Sequence, residues 1–104
     1  MGSWATQHIE KLQRGETVQF RPVGGSMRGK VESGQLVTVE PLGDQELKKG
    51  MIVLCKVNGN QYLHLIKAIQ DGPKARFQIG NNKGGINGWT PRTCIYGVCT
   101  KVGE

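Results

Sequence analysis

The chain has 104 residues, of which 37% are hydrophobic and 21% are charged. This length and composition indicate a single globular domain and exclude a second independent hydrophobic core. Fourteen Lys and Arg against eight Asp and Glu give a net charge of +6. Basic and acidic residues alternate along the chain, and no basic run is longer than Lys48-Lys49. The charge distribution therefore argues against nucleic acid as the partner.

Membrane and export signals are also missing from the sequence. The longest apolar runs, such as residues 51–55, are far shorter than the roughly 18 residues that a membrane span needs. The N-terminus has no basic flank followed by an apolar stretch. None of the three cysteines, Cys55, Cys94 and Cys99, is spaced to form a CxxC motif. We therefore expect a cytoplasmic protein with buried thiols, no metal site and no cofactor.

The N-terminal segment, residues 1–15, predicts one short amphipathic helix. Apolar residues recur at helical spacing between Trp4 and Leu12, and Gly15 stands where the helix would end. The remaining part of the domain 1–104, from residue 17 to residue 102, is expected to form the β core.

Six stretches of this core are rich in β-branched residues and are bounded by turn-forming residues. The predicted strands are residues 17–22, 35–40, 51–57, 61–69, 75–79 and 94–102. Asn58-Gly59 separates two of them, and both residues tolerate the positive φ angles of a type I′ turn, which predicts an antiparallel hairpin. Sixteen glycines imply many tight turns. We therefore predict a mainly β fold, with a small coiled antiparallel sheet or partial barrel.

The segment from Gly80 to Gly88 is rich in glycine and asparagine and lacks hydrophobic periodicity, so it is interpreted as a loop. Its backbone N–H groups could hold an anion, but the segment lacks the phosphate-loop pattern and no helix is predicted after it. An ordinary loop is therefore the favoured interpretation.

The two histidines, His8 and His64, have few acidic neighbours in sequence and form no HxxxH pair. A metal site and a histidine-based triad are therefore disfavoured. His64 is interpreted as a hydrogen-bonded or exposed residue in the middle of a strand.

Lys67 carries more information, because strict alternation places it on one strand face with Leu63, Leu65 and Ile69. A lysine in this position commonly lays its stem along apolar surface and keeps its ammonium in water. If the amine is instead desolvated, the neutral form is favoured and the amine can act as a general base.

A nucleophile for such a base is available at Ser26. Gly24 and Gly25 allow a sharp turn that exposes the hydroxyl and leaves backbone N–H groups free for an oxyanion. The candidate donors are the N–H groups of Gly25 and Ser26. The alternative is an ordinary Gly-Gly-Ser turn.

These residues occur within a longer pattern, over residues 24–41 and 48–69. The pattern consists of the pair Ser26-Met27, residues 34–39 that lead into a predicted strand, the predicted strand that begins at Gly50-Met51, and Lys67 within the next predicted strand. The pattern resembles the Ser-Lys peptidase superfamily, which includes LexA-like repressor C-terminal domains and bacterial signal peptidases. Residues 80–83 resemble the start of the signal-peptidase motif Gly-Asp-Asn-Arg, and residues 96–99 resemble the closing strand of the family. The resemblance covers about residues 20–102.

The resemblance implies a fold of the LexA and signal-peptidase catalytic-domain type, without the DNA-binding domain or membrane segment of those proteins. It also implies a peptidase in which Ser26 attacks a carbonyl and neutral Lys67 accepts its proton. A competing hypothesis is a non-catalytic module of the same fold that binds a peptide or a protein. A basic nucleic-acid-binding β domain is the third and weakest hypothesis.

Overall fold

A computed structural model describes residues 4–103. Its elements are α1 (Thr6–Gln13), β1 (Val18–Phe20), β2 (Val37–Pro41), β3 (Ile52–Val57), β4 (Asn60–Gln70), β5 (Arg76–Gly80), β6 (Ile86–Pro91), a 3₁₀ helix (Arg92–Cys94) and β7 (Ile95–Val102). The seven strands form one open sheet in the order β1-β2-β7-β3-β4-β5-β6, and every neighbouring pair is antiparallel. The predicted mainly β class and the short N-terminal helix are confirmed. Residues 1–3 and 104 of the predicted domain lie outside the described residues.

The hairpin of β3 and β4 is the most regular part of the sheet. Its register runs without interruption from the pair Ile52 and Leu65 to the pair Val57 and Asn60. The turn residue Asn58 has a φ of 51° and the next residue, glycine 59, has a φ of 83°. Both angles are positive, as a type I′ turn requires, so the predicted hairpin is confirmed.

Strand β6 was not expected, because Ile86–Pro91 begins inside the segment that the sequence analysis interprets as a loop. That part of the interpretation is wrong. The strand has little hydrophobic alternation, because Ile86 and Trp89 are exposed and Thr90 alone is fully buried. It forms through backbone pairing with β5 and not through a buried face of its own.

Both faces of the sheet are covered, and β3 contributes to each. Leu54 belongs to a first cluster, which also contains Ile9 and Leu12 of α1. Val53 and Cys55 belong to a second cluster on the opposite face. The sheet curls around this second cluster until β6 meets β3, where the Thr90 hydroxyl donates a hydrogen bond of 2.7 Å to the carbonyl of residue 56.

Strand β4 contains an irregularity that decides which face its residues occupy. The register with β5 shifts between Ile66 and Ala68, so Lys67 is an extra residue without a partner in β5. Beyond this bulge the faces exchange: Leu65 belongs to the first cluster, but Ile69 packs against the second. The prediction of one continuous face through Leu65, Lys67 and Ile69 is therefore wrong, because strict alternation does not survive a bulge.

Within residues 4–103, no helix is long and apolar enough to cross a membrane.

Candidate active site

Ser26 lies on the turn that connects β1 to β2. The next residue, Met27, is buried in the first cluster, whereas Ser26 is exposed. The Met27 carbonyl accepts a hydrogen bond of 2.8 Å from the N–H of Val31, and the Gly25 carbonyl accepts one of 3.2 Å from Arg28. The buried methionine and the two turn bonds hold the serine hydroxyl at the surface.

The hydroxyl of Ser26 is hydrogen-bonded to a histidine. Ser26 Oγ lies 3.1 Å from His64 Nε2, although 38 positions separate the two residues in the chain. His64 belongs to β4, and its side chain is buried against the turn that carries Ser26. This distance is within the range for proton transfer between a nucleophile and its general base.

The other ring nitrogen of His64 has a partner in the unexpected strand β6. His64 Nδ1 lies 2.6 Å from Asn87 Oδ1. An amide oxygen can only accept, so this bond requires the hydrogen on Nδ1 and leaves the Nε2 lone pair directed at Ser26. Asn87 thus selects the tautomer in which His64 can accept a proton from the serine hydroxyl.

The surroundings of His64 favour its neutral form. Burial lowers the pKa of His64 below its ordinary value of 6.5, and the hydrogen bond with Asn87 offsets part of this effect. The ring of Tyr62 stacks against the imidazole, with centroids 4.9 Å apart. At neutral pH the imidazole is therefore uncharged and held in one orientation, as a general base must be.

The connection between β5 and β6 is hydrogen-bonded to the turn that carries Ser26. Its first residue, Asn81, accepts hydrogen bonds of 2.8 Å from the N–H groups of Lys83 and Gly85 through its side-chain oxygen. The next residue, Asn82, donates its N–H to the Ser26 carbonyl at 3.0 Å. Asn82 also donates its side-chain amide to the carbonyl of residue 28 at 2.8 Å. The glycine- and asparagine-rich segment is thus a brace against the Ser26 turn.

The predicted oxyanion donors are available. Among residues 4–103, neither the Gly25 N–H nor the Ser26 N–H has a hydrogen-bond partner. The preceding N–H, that of Gly24, is already bonded to Ser33 Oγ at 3.1 Å. Their role as oxyanion donors stays a prediction.

No hydrogen bond joins the Lys67 amine to Ser26 among residues 4–103. Lys67 is half-buried, and its Cγ would lie 3.0 Å from a Cβ built on Gly80. Within the part of the chain that the structure describes, the Lys67 amine makes no hydrogen bond, and the hydrogen-bond partner of the Ser26 hydroxyl is His64. The assignment of Lys67 as the base stays a prediction that the structure does not support with a contact.

Sequence reasoning discounted His64 and missed Asn87. His64 has few acidic neighbours in sequence, but its partner is an amide 23 positions away. Asn87 lies in a segment without hydrophobic periodicity, and no sequence signal distinguishes it from the other asparagines there.

A groove of about 340 Å³ runs beside the serine and the histidine. Its apolar lining includes Trp4, Val23 and Met27, and the first two of these are exposed. Ser26 and His64 both line this groove, so a bound molecule would lie beside them.

No protein-family model matches the chain, and no curated protein matches it. The described residues contain no group of three or more His, Cys, Asp and Glu side chains that could hold a metal ion. The chemistry that the side chains of this site can perform by themselves is nucleophilic attack by a serine hydroxyl with an imidazole as the base.

Proposed function

We propose that the protein is a serine hydrolase that cleaves peptide bonds, with Ser26 as the nucleophile, His64 as the general base and Asn87 as the residue that orients the base. The observation that carries the proposal is the continuous pair of hydrogen bonds from Ser26 Oγ to His64 Nε2 and from His64 Nδ1 to Asn87 Oδ1. The resemblance of the Ser26 segment to the Ser-Lys peptidases supports the same nucleophile with another base.

In the proposed reaction, Ser26 Oγ attacks the carbonyl carbon of the substrate while its proton passes to His64 Nε2. The carbonyl oxygen becomes negative and is stabilised by the free N–H groups of Gly25 and Ser26. The imidazolium then gives its proton to the leaving amine as the C–N bond breaks, which leaves an acyl ester on Ser26. Water, deprotonated by His64, hydrolyses this ester and restores the serine.

The groove supports a peptide as the substrate. Its lining combines apolar side chains with the polar residues of the site. A peptide in extended form could place its side chains against Trp4 and Val23 while a backbone carbonyl approaches Ser26.

Labelling with an alkyl fluorophosphonate tests the proposal. The serine oxygen displaces fluoride from phosphorus, so the P–O bond forms as the P–F bond breaks and the serine proton leaves through His64. We expect the wild-type protein to be labelled at Ser26, and S26A to remain unlabelled. H64A should react at least about 1,000-fold more slowly, since the base is lost.

K67A is the matched control on the same strand, and it should react at the wild-type rate. Loss of labelling in K67A with retention in H64A would reinstate the lysine as the base. A wild-type protein that is folded but unreactive would contradict the hydrolase proposal and favour the non-catalytic peptide-binding module.

A further inference from the structure

Lys83 lies next to Gly25, whose backbone N–H is one of the predicted oxyanion donors. Its Nζ is 3.7 Å from the position that a Cβ on Gly25 would occupy. Because Gly25 has no side chain, the ammonium can approach this backbone closely. The N–H of Gly25 itself and the N–H of the next residue, Ser26, have no partner within residues 4–103.

The backbone on both sides of Lys83 is anchored. The Lys83 N–H is bonded to Asn81 Oδ1 at 2.8 Å, and the N–H of the residue before it is bonded to the Ser26 carbonyl at 3.0 Å. These two bonds set the direction in which the side chain leaves the backbone. Lys83 is therefore an exposed lysine on a braced segment, directed across the Ser26 turn.

The charge of Lys83 is not neutralised by a carboxylate. Among residues 4–103 it forms no ion pair. Glu32 is the acidic residue in the groove lining, but it accepts a hydrogen bond of 2.8 Å from the Gly29 N–H and lies 3.9 Å from Arg28. The ammonium thus remains available for an anionic group beside Ser26.

We propose that Lys83 is a third oxyanion donor, a catalytic residue whose ammonium contacts the negative oxygen formed when Ser26 attacks a carbonyl. This inference rests on the proposed function. It assigns the N–H groups of Gly25 and Ser26 and the Lys83 ammonium to the same oxygen atom. The contribution is electrostatic, because no bond to Lys83 forms or breaks.

The expected size of the effect lies below that of a buried oxyanion donor. Removing a preorganised donor in a dry site typically slows the reaction about 100- to 1,000-fold. Lys83 is exposed, so water and salt screen its charge. We therefore expect a loss of about 10- to 100-fold in K83M, which keeps most of the apolar stem and removes the charge.

The fluorophosphonate labelling rate measures this effect, since the pentacoordinate phosphorus also carries a negative oxygen. K83R should retain most of the wild-type rate. K101M, which removes an exposed lysine of β7, is the matched control and should react like the wild type. The wild-type rate should fall as salt is raised, and K83M should lose this salt dependence, which a purely structural role of Lys83 would not produce.

Each result decides between the proposals. If the wild type is labelled and K83M reacts at the same rate, Lys83 is not an oxyanion donor, and the hydrolase proposal stands. If K83R is as slow as K83M, and both variants keep the salt dependence of the wild type, the lysine acts through the structure of the loop. The inference is then wrong. If the folded wild type is not labelled at all, the hydrolase proposal fails and the inference fails with it.

Discussion

The two connections that follow β3 and β5 are built in opposite ways. The β3–β4 turn consists of Asn58 and Gly59, whose positive φ angles close the hairpin locally, and the register on either side is continuous. The β5–β6 connection has a register shift next to Gly80, and the side chains of Asn81 and Asn82 hold it in place. The first turn closes the hairpin that carries His64 within a continuous register. The second connection contacts the turn that carries Ser26. The candidate site therefore depends on both, on regular pairing for the histidine and on a braced connection for the serine.

Truncating a buried side chain in the regular hairpin should have the largest effect on stability. Leu54 in β3 is fully buried, so L54A removes apolar contacts and leaves a cavity. We expect the free energy of unfolding, measured by urea titration, to fall by about 3 kcal/mol. I86A, at an exposed position of β6, should change it by less than about 0.5 kcal/mol. Equal losses in the two variants would mean that β6 is as essential to the fold as the hairpin.

Replacing a glycine by alanine should have different effects in the two connections. We compare the effects on the free energy of unfolding and on the labelling rate. A Cβ on Gly80 would lie only 2.5 Å from the backbone oxygen of Gly85, so G80A must displace the connection that holds Asn87. We expect it to destabilise the protein by about 2 kcal/mol and to slow fluorophosphonate labelling. G59A meets open space and costs only about 1 kcal/mol through its positive φ.

Labelling at the wild-type rate in G80A would show that the β5–β6 connection does not set the geometry of the site. Slow labelling in G59A would show that the two connections are not independent.

Replacing the neutral partner of His64 by a carboxylate should move the pH dependence. Labelling requires the neutral imidazole, so the rate rises with pH through the pKa of His64, which burial holds below 6.5 in the wild type. In N87D a negative charge beside Nδ1 stabilises the imidazolium and raises this pKa. The midpoint of the pH–rate profile should therefore shift upward, by about one pH unit. An unchanged midpoint would indicate that residue 87 does not contact the base.

The smallest expected effect is on stability in mild acid. The folded pKa of His64 is lowered, so the unfolded chain binds a proton more readily than the folded protein. The stability that the neutral, buried ring contributes is present above pH 6.5 and is lost as the pH falls toward the folded pKa. The free energy of unfolding should thus decrease more steeply below pH 6.5 in the wild type than in H64Q. Identical slopes in the wild type and H64Q would mean that His64 has the same pKa in the folded and the unfolded chain.

The sequence predicts those parts of the molecule whose structure is determined by neighbouring residues. The helix before Gly15, the hairpin at Asn58-Gly59 and the exposed turn at Ser26 all follow from local spacing or local φ requirements. Strand β6 and the partners of His64 do not, because they depend on contacts between segments far apart in the chain. The face of Ile69 was misjudged for a related reason, since a bulge of one residue leaves no mark in the pattern of hydrophobic residues.

The three residues of the candidate site lie on three separate segments of the chain, and the brace at Asn82 joins the first of these segments to the last. No contiguous stretch shorter than residues 26–87 contains all three. The site can therefore exist only after the ends of this long segment have met, which carries an entropic cost. The labelling rate of Ser26 would consequently report on the completeness of the fold itself. In a refolding experiment it should recover after the local hairpin has formed.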